Sequence, residues 1–390
     1  MQIIKRRDSI ANICFYIGML IHLMIMVVGY GDFGIPYAGR LLQVAFVFLC
    51  CKILMTYYTL TEWMVMLFFG GIGVISYLFT RDEYVVSVVI MLFACKNVDI
   101  YRLLKLVLWT ALAGTVVTAV LSLAGIGGMA VDIRDYGRGG MEARWCLGFG
   151  HANNLHGTLW YLALLTLVVY FKKLKWYHYA GMTILNIVFY ALTLSRSGLI
   201  AVQLVIIAGF ILRYAEKAAE SSWIYLLGLI ELIGIVAVSI MAAMIPFEQY
   251  PVLAKMDQFV TGRFQLAYRY ADIGQWKVIS TGAVTDMVDN GWITIFFSYG
   301  YAIGILFIIF HVFLLFRSWK TKNGILLIMI MTSIFYTFME SSYTINSTYL
   351  LCNVSYIAAM VLISGIMERR GFIDNGREKI ERNGNSNISV

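Results

Sequence analysis

The chain has 390 residues, of which 61% are hydrophobic and 13% charged, and its formal net charge at pH 7 is +8. Soluble domains carry roughly 25% charged residues and about half apolar ones, so this composition excludes an ordinary soluble domain and indicates a polytopic membrane protein. In such a protein the placement of the positive charges is more informative than their sum.

Apolar runs that approach the ~20 residues needed for a helix to cross a bilayer recur along the chain. They predict one all-α transmembrane domain over residues 1–366, with about twelve transmembrane helices. The predicted spans lie near 10–30, 38–58, 63–80, 84–98, 103–125, 153–171, 177–194, 198–214, 222–245, 291–315, 324–340 and 344–366. The first is interpreted as a retained helix, because its apolar core is long and no A-x-A cleavage site follows it.

Lysine and arginine in the short loops predict the orientation. In a twelve-span arrangement one side receives most of them, and the positive-inside rule assigns that side to the cytoplasm. The residues on it are Arg6, Lys52, Lys96, Arg102, Lys172, Lys173, Lys175, Arg213, Lys217, Arg317, Lys320, Lys322, Arg369 and Arg370. Both termini are then cytoplasmic, and the polar tail 367–390 is expected to be disordered.

Two long loops, about 126–152 and 246–290, lie on the opposite, external face. Loops of this size are usually functional or disordered, and the Tyr, Trp, Phe and Leu content here argues against disorder. A short helix is predicted from about 262 to 272, with Arg263, Leu266, Ala267 and Tyr270 near one face.

The external face is unusually rich in arginine, against the positive-inside expectation. Arginine presents a planar fork of donors that suits phosphate or carboxylate. The pattern therefore indicates a polyanionic ligand such as pyrophosphate. The arginines concerned are Arg134, Arg138, Arg144, Arg196, Arg263 and Arg269.

Arg196 interrupts an apolar run within the segment Ser195-Arg196-Ser197-Gly198. One interpretation is a tight external hairpin whose arginine reaches the lipid headgroups. The other is that the segment begins a helix whose N-terminal N–H groups and dipole favour an anion, with Arg196 completing the site.

Three segments carry a resemblance to a known family: RWCLGFGHANNLHG (144–157), the SRSG turn (195–198) and TGRF (261–264). In this order and on this face they resemble the Wzy-type polysaccharide polymerases of the O-antigen polymerase and ligase superfamily. The recognisable motifs span about 144–346.

The resemblance implies an integral-membrane glycosyltransferase with a GT-C-like fold. Such an enzyme joins undecaprenyl-diphosphate-linked repeat units on the outer face of the bacterial cytoplasmic membrane, for capsule, exopolysaccharide or O-antigen. The implied partners are the lipid-linked donor and acceptor, membrane lipids, a flippase and a chain-length regulator, with no nucleic acid. No nucleotide sugar, cofactor or metal is implied, and the sequence has no external DxD motif or His/carboxylate ligand set.

By motif, the two key arginines of the family correspond to Arg196 and Arg263, whose implied role is to clamp the pyrophosphate, with Arg144 as a third candidate. A general base is also needed for the attacking sugar hydroxyl. Asp289 and Glu340 are the candidates, and the alternatives are an N-cap for Asp289 and a polar helix end for Glu340.

Further side chains are predicted to contact sugar or phosphate. The i, i+5 spacing of His151 and His156 does not suit a metal pair. An alternative for the asparagines is that one of them caps the sixth span. The predicted substrate-binding residues are Arg144, His151, Asn153, Asn154, His156, Arg269 and Tyr270.

Three other functions stay open. A ligase that transfers finished glycan shares the motifs, although Asp289 and Asn290 stand where the ligases have a histidine. A flippase or secondary transporter shares the twelve-span plan, but the sequence has no internal repeat and its polar residues concentrate on one face. A non-catalytic membrane sensor is compatible with every residue.

Overall fold

The computed structural model describes residues 2–29, 37–136, 140–259, 262–274, 276–281, 289–341, 351 and 353–364. These residues are mostly helical, as expected for an all-α membrane protein. The helices are α1 (Gln2–Val28), α2 (Ala38–Met55), α3 (Leu60–Thr80), α4 (Tyr84–Ala94), α5 (Ile100–Leu123), α6 (Ala152–Tyr170), α7 (Trp176–Thr193), α8 (Arg196–Tyr214), α9 (Ser222–Met244), α10 (Pro251–Phe259), α11 (Arg263–Gly274), α12 (Gly291–Tyr299), α13 (Tyr301–Thr321), α14 (Gly324–Met339) and α15 (Val354–Ile363).

Within the described residues, eight helices are long and apolar enough to cross a membrane: α1, α2, α3, α5, α6, α8, α9 and α13. The helices α4, α14 and α15 are apolar but shorter. The prediction of a helical membrane protein is thus confirmed, while the total of twelve spans stays a prediction. The tail 367–390 lies outside the described residues.

Local caps fix several helix boundaries. Thr59 and Glu62 form a capping box at the start of α3, and the side chain of Asp99 accepts the backbone N–H of Arg102 at the start of α5. Asn323 caps α14 in the same way, through the N–H of Leu326. Such side chains satisfy backbone donors that have no partner inside the helix, which is why the chain begins its helices there.

The first long loop contains a β-hairpin that the sequence analysis does not predict. Strand β1 (Val131–Asp135) pairs antiparallel with β2 (Met141–Trp145), with Asp132 opposite Arg144 and Arg134 opposite Glu142. Alternating charges therefore share one face of the ribbon, because successive side chains of a strand point to opposite faces. In the second loop, α11 confirms the predicted helix at 262–272, and α10 is an additional helix.

The predicted span 291–315 is wrong as a single helix, since α12 folds back against α13. Gly300 between them has φ 91°, and the Phe296 ring lies 2.8 Å from the position that a Cβ of Gly304 would occupy. The Trp292 and His311 rings are 5.0 Å apart. In a continuous helix these residues would be separated by about 28 Å along the axis.

An extended segment of the second loop stabilises the chain reversal between α12 and α13. The backbone N–H groups of Tyr301 and Ala302 donate to the carbonyls of Lys277 and Val278, at 2.9 and 3.1 Å. Gly300 is tightly enclosed there, because a Cβ on it would lie 2.5 Å from the carbonyl oxygen of Val278. The backbone reversal therefore depends on long-range contacts as well as on the glycine.

Helix α6 is the most buried of the eight candidate spans in the described part of the chain. Trp160 and Tyr161 are almost fully buried, and the Trp160 ring stacks on Tyr336 of α14 with centroids 4.2 Å apart. This helix therefore provides a rigid centre around which α5, α7, α8 and α14 are arranged.

The two ends of the bundle differ in chemistry. At one end, Arg213 in the last turn of α8 donates to the carbonyl of Lys172, which follows α6, at 3.5 Å. At the same end, Lys322, which follows α13, donates to Ser222 of α9 at 3.2 Å. At the other end, the starts of α6 and α8 and the end of α14 meet at Glu340. This second end carries the candidate site.

Candidate functional site

Arg263, the first residue of α11, is the centre of a buried ionic cluster. Its Nη2 lies 2.9 Å from Oε1 of Glu340, its Nε lies 3.2 Å from Oδ2 of Asp289, and its Nη1 donates to the carbonyl of Met339. The side chains of Arg263 and Glu340 are 12% and 7% exposed, whereas that of Asp289 is 44% exposed. Glu340 and the Met339 carbonyl therefore hold one side of the guanidinium, and its other side, next to the half-exposed Asp289, is accessible.

The position of Arg263 depends on an unpredicted cap. The carboxylate of Asp257, in α10, accepts the backbone N–H groups of Phe264 and Gln265 at 2.8 and 3.4 Å. Gly262 precedes the helix with φ 79°, a conformation that glycine adopts without steric cost. An aspartate ahead of a Gly-Arg helix start is a signal that sequence reasoning could have used.

Glu340, the residue that ends α14, is the point where distant segments converge. Its Oε1 accepts from Nδ2 of Asn153 at 2.8 Å and from Oγ of Ser197 at 3.5 Å, in addition to Arg263. Burial raises the pKa of Glu340 to about 7, while the positive charge of Arg263 opposes that rise. The carboxyl group can consequently change its protonation state near neutral pH.

The SRSG turn begins α8 beside this cluster. Ser195 caps the helix by accepting the N–H of Gly198 at 3.3 Å, and Ser195 and Ser197 hydroxyls lie 3.4 Å apart. Arg196 is exposed and makes no ion pair with any carboxylate of the described residues. Arg196 is thus a cation available to a ligand, and its neighbour Ser197 contacts Glu340.

The buried side chain of His156 packs against this turn. Its Nδ1 and Nε2 each lie 2.9 Å from a partner, Thr193 and Asn186 respectively, and its side chain is 0% exposed. A Cβ on Gly198 would lie 2.4 Å from its ring, so the turn closes directly over the imidazole. We interpret His156 as a support of the turn, since a ligand would have to displace the turn to reach it.

His151 and Asn153 connect the cluster to α6. The N-cap of α6 is His151, whose Nδ1 accepts the N–H of Asn153 at 3.1 Å, so the alternative that an asparagine caps this helix is wrong. Burial, followed by the charge of Arg134, lowers the pKa of His151. The Asn154 side chain donates to the carbonyl of Phe149 at 3.2 Å and holds the preceding loop.

The hairpin places Arg144 beside the start of α6. Arg144 is only 3% exposed, donates to Glu142 at 2.5 and 2.9 Å, and lies 3.5 Å from the ring centroid of Tyr136. The Tyr136 ring is 5.5 Å from that of His151. Arg144 is therefore already engaged by the hairpin, and an anion would have to compete with Glu142 for it.

The structure also describes the contacts of Arg269 and Tyr270 and shows which residue begins α12 after Asp289. The N-cap of α12 is Asn290, which accepts the N–H groups of Trp292 and Ile293, so the alternative of Asp289 as the cap is wrong. Arg269 forms an exposed ion pair with Glu248 at 3.1 Å. Tyr270 packs beside a small apolar cluster that contains Phe264.

In the described part of the chain, no group of three or more His, Cys, Asp or Glu side chains is arranged to hold a metal ion. Metal independence stays a prediction. Comparisons with protein-family models, with curated proteins and with solved structures found no match. The functional interpretation consequently depends on the geometry of the cluster and on the motifs that form it.

Proposed function

We propose that this protein is a membrane glycosyltransferase that polymerises undecaprenyl-diphosphate-linked oligosaccharide repeat units on the outer face of the bacterial cytoplasmic membrane. One observation carries this function: each of the three segments that carry the family resemblance contributes a hydrogen-bond donor to the carboxylate of Glu340. Asn153 belongs to the first segment, Ser197 to the SRSG turn and Arg263 to TGRF, and they bond to one oxygen atom. Asn153 and Glu340 are 187 positions apart in the sequence.

Arg263 and Arg196 bind the pyrophosphate of the donor in this proposal. Glu340 and the Met339 carbonyl fix the guanidinium of Arg263, so binding a phosphate there needs little reorganisation. Asp289 is half-exposed and is the partner that an incoming phosphate displaces. Preorganised cations of this kind stabilise the negative charge that develops on the pyrophosphate as the anomeric C–O bond breaks.

Glu340 is the general base of the proposed reaction. It accepts the proton of the acceptor sugar hydroxyl as that oxygen forms its bond to the anomeric carbon, and undecaprenyl pyrophosphate leaves with the electron pair of the broken bond. A base is most effective when its pKa lies near the operating pH, and burial brings the pKa of Glu340 to about 7. Asn153 and Ser197 hold the carboxylate in position.

The chemistry of the two bundle ends supports an external site. Basic residues such as Lys172, Arg213 and Lys322 gather at the end opposite Glu340. The positive-inside rule assigns the basic end to the cytoplasm. The cluster then faces the outside, where lipid-linked repeat units are joined.

The test is the length of the cell-surface glycan in cells that carry Arg196→Ala, Arg263→Ala or Glu340→Gln. We expect single, unpolymerised repeat units to accumulate on the outer face, after correction for the amount of each variant in membranes. Lys255→Ala is the control, because this exposed cation lies on α10 in the same long loop and is not one of the predicted site residues. It should leave chain length unchanged.

Other outcomes separate the alternatives. Glycan of normal length and amount in all three variants would refute the polymerase. Repeat units trapped on the inner face would indicate a flippase. Complete chains that are not transferred to their final acceptor would indicate a ligase.

A further inference from the structure

An apolar groove lies between α9 and α13 at the basic end of the bundle. It has a volume of about 410 Å³, and its walls are mainly aromatic and aliphatic. Among the lining residues are Trp223, Tyr225, Leu226, Val312, Phe316 and Trp319. Trp223 is 73% exposed, so this side of the groove is open to the surroundings of the helix pair.

Two lysines stand at the mouth of the groove. The Nζ of Lys322 lies 3.2 Å from the Ser222 hydroxyl, which also accepts the indole N–H of Trp319 at 3.1 Å. The Nζ of Lys320 lies 4.7 Å from the ring centroid of Phe316. Both lysines are exposed, and neither forms an ion pair with a carboxylate of the described residues.

The charges are arranged for an anion at the end of the groove. Lys320 lies in the last turn of α13 and Lys322 directly follows it, where the partial negative charge of the helix end stabilises cations. Among the described side chains just before α9, Glu220 is an exposed carboxylate two residues before Ser222, and the two lysines outnumber it. A ligand that fits must combine a negative group with a long apolar part.

The location of the groove identifies the source of such a ligand. Both α9 and α13 are among the helices long and apolar enough to cross a membrane, and the lysines mark the end of α13. Tryptophan and tyrosine near helix ends are typical of the membrane–water interface. In a bilayer crossed by α9 and α13, the mouth would lie level with the lipid phosphates and the groove along the acyl chains.

We propose that this groove binds an anionic phospholipid of the inner leaflet, with the phosphate between Lys320 and Lys322 and an acyl chain against Phe316 and Trp319. Basic pockets between transmembrane helices on the cytoplasmic side are known to bind such lipids. Free phosphate has no apolar part to occupy the groove. This inference does not depend on the proposed glycosyltransferase activity.

The experiment uses purified full-length protein in detergent. Retained lipid is counted by native mass spectrometry after titration with phosphatidylglycerol or with phosphatidylcholine of the same chain length. We expect the wild type to retain phosphatidylglycerol preferentially and to show a higher Tm with it, because a ligand of the folded state stabilises that state. Each lysine near an anionic group should contribute ~5-fold in affinity, so Lys320→Gln/Lys322→Gln should bind ~25-fold more weakly.

A matched control separates a built site from general attraction to basic charge. Lys172→Gln/Lys173→Gln removes the same charge from exposed positions after α6, at the same end of the bundle. This control should keep wild-type affinity, whereas Trp319→Ala should weaken binding of the long-chain lipid. Equal retention of the two lipids by the wild type, or equal losses in both lysine pairs, would overturn the proposal.

Discussion

Replacing Arg263 by alanine is expected to destabilise the protein, because it leaves the carboxylate of Glu340 buried without its described cation. Removing one partner of a buried ion pair typically costs about 3–5 kcal/mol. Glu340 can relieve part of this cost by binding a proton, since burial already raises its pKa to about 7 and Arg263 opposes that rise. We therefore expect the lower end of the range, about 3 kcal/mol near pH 7. The pair with Asp289 is half-exposed and adds at most about 1 kcal/mol.

The assay is thermal unfolding of the purified protein in detergent, together with its abundance in membranes. If an unpaired buried charge causes the loss, Arg263→Ala/Glu340→Gln should be more stable than Arg263→Ala alone. A coupling free energy of about 1–2 kcal/mol between the two sites is expected, within the range found for residues in contact. Arg269→Ala removes an exposed pair from the same helix and should cost less than about 1 kcal/mol.

Two results would refute this reasoning. One is an Arg263→Ala variant that is as stable as Arg269→Ala. The other is a double variant whose loss equals the sum of the single losses, because the cluster would then contain no coupling between Arg263 and Glu340.

Three further predictions concern the same site. Asp289→Asn should strengthen binding of inorganic pyrophosphate several-fold in calorimetry, because a half-exposed competitor for Arg263 is removed. The contribution of Glu340 to stability should fall as pH rises from 4.5 to about 7, since the folded state holds a proton on Glu340 that the unfolded state has lost. The stability of the wild type relative to Glu340→Gln should therefore fall over this range in unfolding measurements, while the lowered pKa of His151 acts in the opposite direction in both proteins. Gly198→Ala should destabilise the protein by about 1–3 kcal/mol, because the new methyl group would lie 2.4 Å from the His156 ring.

Each of these three predictions has a control variant or an outcome that would contradict it. Unchanged or weaker pyrophosphate binding by Asp289→Asn would contradict the role of Asp289 as a competitor. The stability of the surface variant Arg269→Ala relative to Glu340→Gln should fall over the same pH range as that of the wild type does. Gly181→Ala in α7 is the control for Gly198→Ala, since a Cβ at Gly181 has no neighbour within 4 Å. It should be neutral or slightly stabilising.

The geometry also explains why two arginines in the motifs differ. Arg263 is held by the carboxylates of Asp289 and Glu340 and by the carbonyl of Met339. Arg196 is exposed and forms no ion pair with a carboxylate in the described part of the chain. In the proposed function, Arg196 is the first contact of an incoming pyrophosphate. Arg263 becomes available only when the phosphate replaces Asp289.

The sequence by itself determined the class of the protein and the position of most helices. The length of an apolar run and the identity of a capping residue are local properties, so α5 after Asp99 and α14 after Asn323 could be located from the chain alone. The amphipathic pattern of α11 is local too, and the predicted helix at 262–272 was confirmed.

Only the tertiary structure decided which polar residues form the site. Arg263 and Glu340 are 77 positions apart, and Asn153 and Glu340 are 187 apart, so no local periodicity could indicate that they share one oxygen atom. The reversal at Gly300 likewise depends on backbone contacts with residues 277–278. Apolar patterns specify that a segment is buried, but partner choice among buried polar groups arises only when the packed helices bring specific donors and acceptors together.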